Sequence, residues 1–130
     1  IGGIGAWFED RARVVALEPE SCATLFEARS KGEPVDVSVG GIAADSLGAK
    51  RIGSIGWAVS QAWVKDALLV SDDSIRAAQL WLWRELKLAV EPAAALGLAA
   101  LQCGVYQPRA DEKICLILCG ANMDPATLNA

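Results

Sequence analysis

Three stretches of this sequence put reactive or conformationally special residues where the chain changes direction. They are Cys119-Gly120-Ala121-Asn122, Glu91-Pro92, and the run from Gly40-Gly41 to Gly48. The Cys119 thiol is a weak donor and a weak acceptor, and buried surroundings would keep it neutral. Gly120 and Ala121 keep side chains out of the way, which serves a tight turn or a flat ligand. Glu91 lies between two helical patterns, where Glu is a mediocre cap and a carboxylate could instead serve a site. Each residue also has an ordinary reading: a packed core thiol, a solvated helix start, a left-handed turn at Asn122. There is no His among the 130 residues. Triads with His as base and His-ligated metals are therefore excluded within this chain.

These residues need a frame. Ile114-Cys115-Leu116-Ile117-Leu118 is a wholly apolar run ending in the Gly-Ala-Asn turn, the pattern of a strand buried on both faces of a parallel sheet. Ligands of such sheets sit in the crevice outside the carboxyl ends of the strands, which is where Cys119 falls. Earlier strands are expected at Val14–Leu17, at Val35–Val39 and at Ala67–Val70. Helical spacing predicts a helix from about Gly2 to Arg11. Another carries Cys22, Leu25 and Phe26, with Pro19 at its first position and Gly32 as its stop. A third follows Ile52, Ile55, Gly56, Val59 and Trp63. A long helix capped by Ser71-Asp72-Asp73 presents Ile75, Ala78, Leu82 and Leu86, widened by Trp81 and Trp83. Pro92 opens a small-residue helix closed by Gly104, in which Gly97 allows close backbone approach. Strands and helices alternate without hairpin signals, so the expected class is α/β, three layers αβα around a mainly parallel sheet.

Composition narrows the function. Hydrophobic residues make up 53% and charged residues 22%, which excludes a disordered chain. A net charge of −4 without a basic stripe excludes a nucleic-acid footprint. No apolar run reaches the roughly 18 residues of a membrane span. The N-terminus lacks a signal-peptide layout. Cys22, Cys103, Cys115 and Cys119 form no Cys-x-x-Cys pair. Cys115 and Cys119 would stand roughly 13 Å apart along a strand, so reduced thiols of a cytoplasmic protein are expected, most of them buried.

Read together and in order, Glu18-Pro19, Ala43-Ala44-Asp45-Ser46-Leu47-Gly48, Val70-Ser71-Asp72-Asp73-Ser74-Ile75, Val90-Glu91-Pro92-Ala93-Ala94-Ala95 and Leu118-Cys119-Gly120-Ala121-Asn122 form a recognisable string. It resembles the second half of the serine/threonine dehydratases (threonine ammonia-lyases) and serine racemases, from Ile1 to about Pro125. These are fold-type II enzymes, tryptophan synthase β-like in fold, that depend on pyridoxal 5′-phosphate (PLP).

The resemblance implies roles. Cys119 matches the Ser-or-Cys facing the pyridine nitrogen. A neutral partner there leaves the ring a milder electron sink, which favours departure of a β-hydroxyl. Glu91 matches the glutamate beside the cofactor. Ala44 and Ser46 match the loop near the ring, Ser46 standing where the family commonly has Gly, and Gly120 adjoins the ring wall. Some relatives hold a divalent cation with the Glu of Glu-Pro and an acidic residue six positions later. Here these are Glu18 and Thr24, too few oxygen ligands for a hard cation, so no metal is expected and Glu18 is given a structural role. Neither the tetraglycine phosphate loop nor the lysine that forms the Schiff base is matched; Lys31, Lys50, Lys65, Lys87 and Lys113 lack its setting. Residues 1–130 are thus expected to be a C-terminal fragment of a dehydratase-like catalytic domain, opening without Met and inactive alone. The missing N-terminal half and a small amino-acid substrate would be its partners, and a homo-oligomer its assembly. No catalytic residue is expected within the chain itself. A serine racemase-like fragment and a non-catalytic interaction module reusing the half-fold are the alternatives.

Overall fold

The computed structural model describes residues 1–129. Two strands, β1 (Val14–Pro19) and β2 (Val64–Val70), lie parallel, from Val14 opposite Val64 to Pro19 opposite Val70, with an irregularity between Val14 and Val15. Alternation along β1 sends Val14 and Ala16 to one side and Leu17 to the other. Val14 and Ala16 join Leu25 and Val64 in one core. Leu17 packs against a second core built from Val70, Ile75, Ala78, Leu82, Val90 and the alanines that follow. The sheet therefore separates two helical layers. Helices α2 (Thr24–Lys31) and α4 (Ser54–Trp63) cover the first side; α5 (Asp72–Leu86) and α6 (Pro92–Gln102) cover the second. The expected α/β class with a parallel sheet is what the chain adopts.

Local chemistry explains the helix limits. In α1 (Gly2–Phe8), the buried Gly5 lets the helix settle against Val59 and Trp63 of α4. It ends before the expected Arg11, because Glu9 takes a positive φ of 50° and the Arg11 guanidinium turns back to donate to Trp7 O. For α5, Ser71 Oγ accepts from Ser74 N, the cap expected from sequence, and the helix stops where Lys87 turns left-handed at φ 57°. Ile75, Ala78 and Leu82 are buried as predicted, and full burial of Ile75 alone contributes about 2 kcal/mol. Leu86, expected on the same face, is 52% exposed because the chain is already leaving the helix. Ile55 is also exposed, and α4 buries Ser60 in its place. In α6, Pro92 starts the helix, and Ala94, Ala95, Ala99 and Ala100 pack closely on α5.

Two expected strands do not form. Val35–Val39 makes a single backbone bond, Val37 N–H to Lys50 O at 2.8 Å, so its partner is the far end of its own loop. Ile114–Leu118 is irregular and largely exposed, with Ile117 61% accessible. Among the described residues β1 and β2 pair only with each other, and a strand without a neighbouring ladder has nothing to satisfy its backbone. Its anchor is Leu116, which lies over Gly97 where a Cβ would stand 2.9 Å from Leu116 Cδ2. Pro19 also departs from expectation: it closes β1 and precedes a 3₁₀ turn, Glu20–Cys22, in place of opening α2.

Glu18 supplies what α2 lacks. The helix has no side-chain cap of its own at Ala23. The Glu18 carboxylate, at the end of β1, accepts from Leu25 N–H and Phe26 N–H, both at 2.8 Å, and so ties sheet to helix. Burial pushes its pKa above the ordinary 4.5, and the backbone N–H bonds oppose this only in part. The folded state then holds this proton more tightly than the unfolded state does. The stability it contributes is complete below about 4.5 and is lost as pH rises through the raised value. Accordingly, the melting-temperature advantage of wild type over Glu18→Gln should shrink as pH is raised from 4 towards neutrality; thermal denaturation across that range checks it.

Candidate functional site

The loop after α2 is docked on the carboxyl ends of both strands. Gly40 N–H donates to Ser21 O at 3.1 Å, and Cys22 Sγ donates to Gly40 O at 3.1 Å. Ser21 Oγ donates to Asp72 Oδ1 at 3.1 Å, while Asp72 Oδ2 accepts from Ile42 N–H at 3.3 Å. Gly41, at φ 78°, sits so close to Ser21 and Asp72 that any Cβ there would overlap them. From this docked loop rises α3 (Ala44–Leu47), a single turn carrying Ala44 and Ser46. Its Leu47 packs against the α5–α6 core that also contains Val90. Ala44 is half-buried and Ser46 exposed.

The other candidate residues meet directly. Glu91 N–H donates to Gly120 O at 3.0 Å, and Gly120 takes φ 68° with the Glu91 side chain filling the space where its Cβ would lie. Only a residue without a side chain fits there. Glu91 and Gly120 are half-buried, so the carboxylate and the turn after Cys119 form one small wall. Cys119, expected in a buried strand, is exposed, because Ile114–Leu118 forms no ladder. Of the four cysteines, all free, only Cys22 is buried.

Gly120, Ala121 and Ala44 project little or nothing, the Cys119 thiol is a weak donor and acceptor, and Glu91 carries a carboxylate against Gly120. These are the residue types that the PLP reading needs around the ring. At the Glu18 position, both carboxylate oxygens are used by backbone N–H groups, and Thr24 Oγ1 donates to Ala49 O at 2.6 Å. Among the described residues no cluster of three or more Cys, Asp or Glu could hold a metal ion.

Residues 1–120 match the family described as "Pyridoxal-phosphate dependent enzyme". The chain belongs to that family. The biosynthetic L-threonine dehydratase IlvA of Haemophilus influenzae is 35% identical over 122 residues, 93% of this chain and 24% of that protein. Serine racemase of Rattus norvegicus is 30% identical over 125 residues, 90% of this chain and 36% of that protein. The processed form of threonine deaminase isoform 2 from Solanum lycopersicum superposes with a TM-score of 0.85 at 27% identity, covering 98% of this chain and 38% of that one. The chain thus spans about a quarter to two-fifths of the relatives it matches.

Sequence reasoning missed two contributors. Asp72 reads from sequence as a first-turn helix carboxylate, yet it also fastens the Gly41 loop. Gln79 is fully buried and donates Nε2–H to Val90 O at 2.7 Å. Its signal was available: position 79 follows Ile75 by four residues and so shares the buried face of α5. For Gly120→Ala, the positive φ and the overlap with Glu91 should cost about 1–2 kcal/mol and displace Glu91. Urea denaturation reads the first, and faster exchange of the Glu91 amide hydrogen reads the second.

Proposed function

We propose that these residues form the C-terminal part of a PLP-dependent serine/threonine dehydratase, converting L-threonine or L-serine to the 2-oxo acid and ammonia. The single observation that carries the reading is the contact of Glu91 with Gly120, which brings two separately recognised motifs to one wall beside Cys119. When bound, PLP supplies the electron sink for charge developing at the substrate α-carbon. The chain's own residues would orient that ring. Cys119 would face the pyridine nitrogen with a thiol, which brings no carboxylate charge to hold the nitrogen protonated. Glu91, fixed through its backbone, would stand beside the ring, and Ala44, Ser46 and Gly120 would border it without crowding it.

The relatives' names support the reaction class, and the short span of each that this chain covers supports a site completed by further residues. The Schiff-base lysine and the phosphate cradle belong to that remainder, so the chain alone is inactive. Among the described residues no helix is long and apolar enough to cross a membrane. Free thiols support a cytoplasmic setting, and the partly exposed Trp81 and Trp83 support a subunit contact along α5 in a homo-oligomer.

Racemisation of serine is the second reading, favoured by the comparable match to a serine racemase. The complete protein, loaded with PLP, should release 2-oxo acid from L-threonine, while chiral analysis of recovered L-serine should find little D-serine. Bound cofactor with no 2-oxo acid overturns the dehydratase, and D-serine as the main product favours the racemase.

A further inference from the structure

We propose that Gln79 is a positioning residue that sets the placement of Glu91. The inference rests on the reading of Glu91 as the carboxylate beside the cofactor. Gln79 is 1% exposed, in the middle of the apolar face of α5. A buried amide is costly unless both its ends are bonded, and here both are. Its Nε2 donates to Val90 O at 2.7 Å, and its Oε1 accepts from Arg76 Nη1 at 2.9 Å. These partners leave one orientation, since a carbonyl oxygen only accepts and a guanidinium only donates. Packing by itself does not call for such a side chain; a Met would fill the space with no amide to satisfy.

The bond acts where it matters for the site. Val90 C=O and Glu91 N–H belong to one planar peptide group. Gln79 holds its oxygen end, and Gly120 O holds its N–H end at 3.0 Å. The group lies in the irregular link between α5 and α6, so no helix ladder fixes it. Clamped from two sides, the plane fixes where the Glu91 Cα stands and so limits the directions in which its side chain leaves the backbone. It also determines the spacing of Glu91 from the residue that follows Cys119. Arg76, besides bonding Gln79, donates to Thr127 O, so the same turn of α5 grips the chain again beyond the Cys119–Asn122 turn.

Two variants separate positioning from packing. Gln79→Met keeps the volume and loses the donor; Gln79→Glu keeps the shape and the Arg76 partner and loses the donor. Amide exchange on the 130-residue chain should be about tenfold faster at Glu91 in both variants. The α6 amides at Ala95 to Ala99 should change by less than about twofold. In the complete protein the visible absorption band of bound PLP should shift in both variants while the cofactor stays bound. Glu91 exchange at the wild-type rate in Gln79→Met, which has no donor in any protonation state, overturns the proposal. So does an increase shared equally by the α6 amides, which would mark general weakening of the fold. If the wild-type complete protein binds no PLP, the functional reading falls, and the exchange rates still decide the role of Gln79.

Discussion

The peptide group between Val90 and Glu91 joins the two parts of this molecule. On one side stands the α5–α6 pair with its core of Ile75, Leu82 and close-packed alanines. On the other stands the segment from Ile114 to Gly120, which has no sheet partner among the described residues and meets the body at points outside any ladder. Leu116 over Gly97 is one such point, and Gly120 O on Glu91 N–H is another. Without the second, the turn after Cys119 would have no fixed relation to the carboxylate. A hydrogen bond contributes only about 1 kcal/mol net, and both residues here are half-buried, so this contact fixes geometry more than it adds stability.

The same economy governs the strand ends. Glu18 leaves β1 and caps α2; Asp72 follows β2 and fastens the Gly40–Gly41 loop through Ser21 and Ile42. Glu18 serves the helix that follows it and Asp72 a loop far earlier in the chain, so the carboxyl edge of the two strands organises the connections around it. That edge is where open α/β sheets place their ligands. α3, with Ala44 and Ser46, is carried towards the α5–α6 core by this docking.

Much of the fold was legible because its signals are local. The Ser71 cap, the Gly32 stop, the Pro92 start and the 3.6-residue spacing of Ile75, Ala78 and Leu82 depend on near neighbours, and each appears where the pattern places it. The Ile114–Leu118 run was misread because apolar composition records an affinity for burial but says nothing of whether a strand lies alongside. Cys119 is exposed for the same reason. Leu86 shows a related limit: a helical face continues in the pattern after the helix has ended at Lys87. The ordered motifs single out Glu91, Gly120 and Cys119, but they do not bring Glu91 against Gly120, as the fold does. The burial of Gln79 was legible from its spacing after Ile75, but its bond to Val90 O, made outside the helix, was not.

In the proposed function, Cys119 and Glu91 would stand as a pair against one edge of the cofactor ring. A crystal structure of the complete protein with PLP bound tests this most directly. It should place Cys119 Sγ within about 3.5 Å of the pyridine nitrogen, with the Glu91 N–H still bonded to Gly120 O. A ring whose nitrogen faces another residue, or a Glu91 backbone released from Gly120, would contradict it.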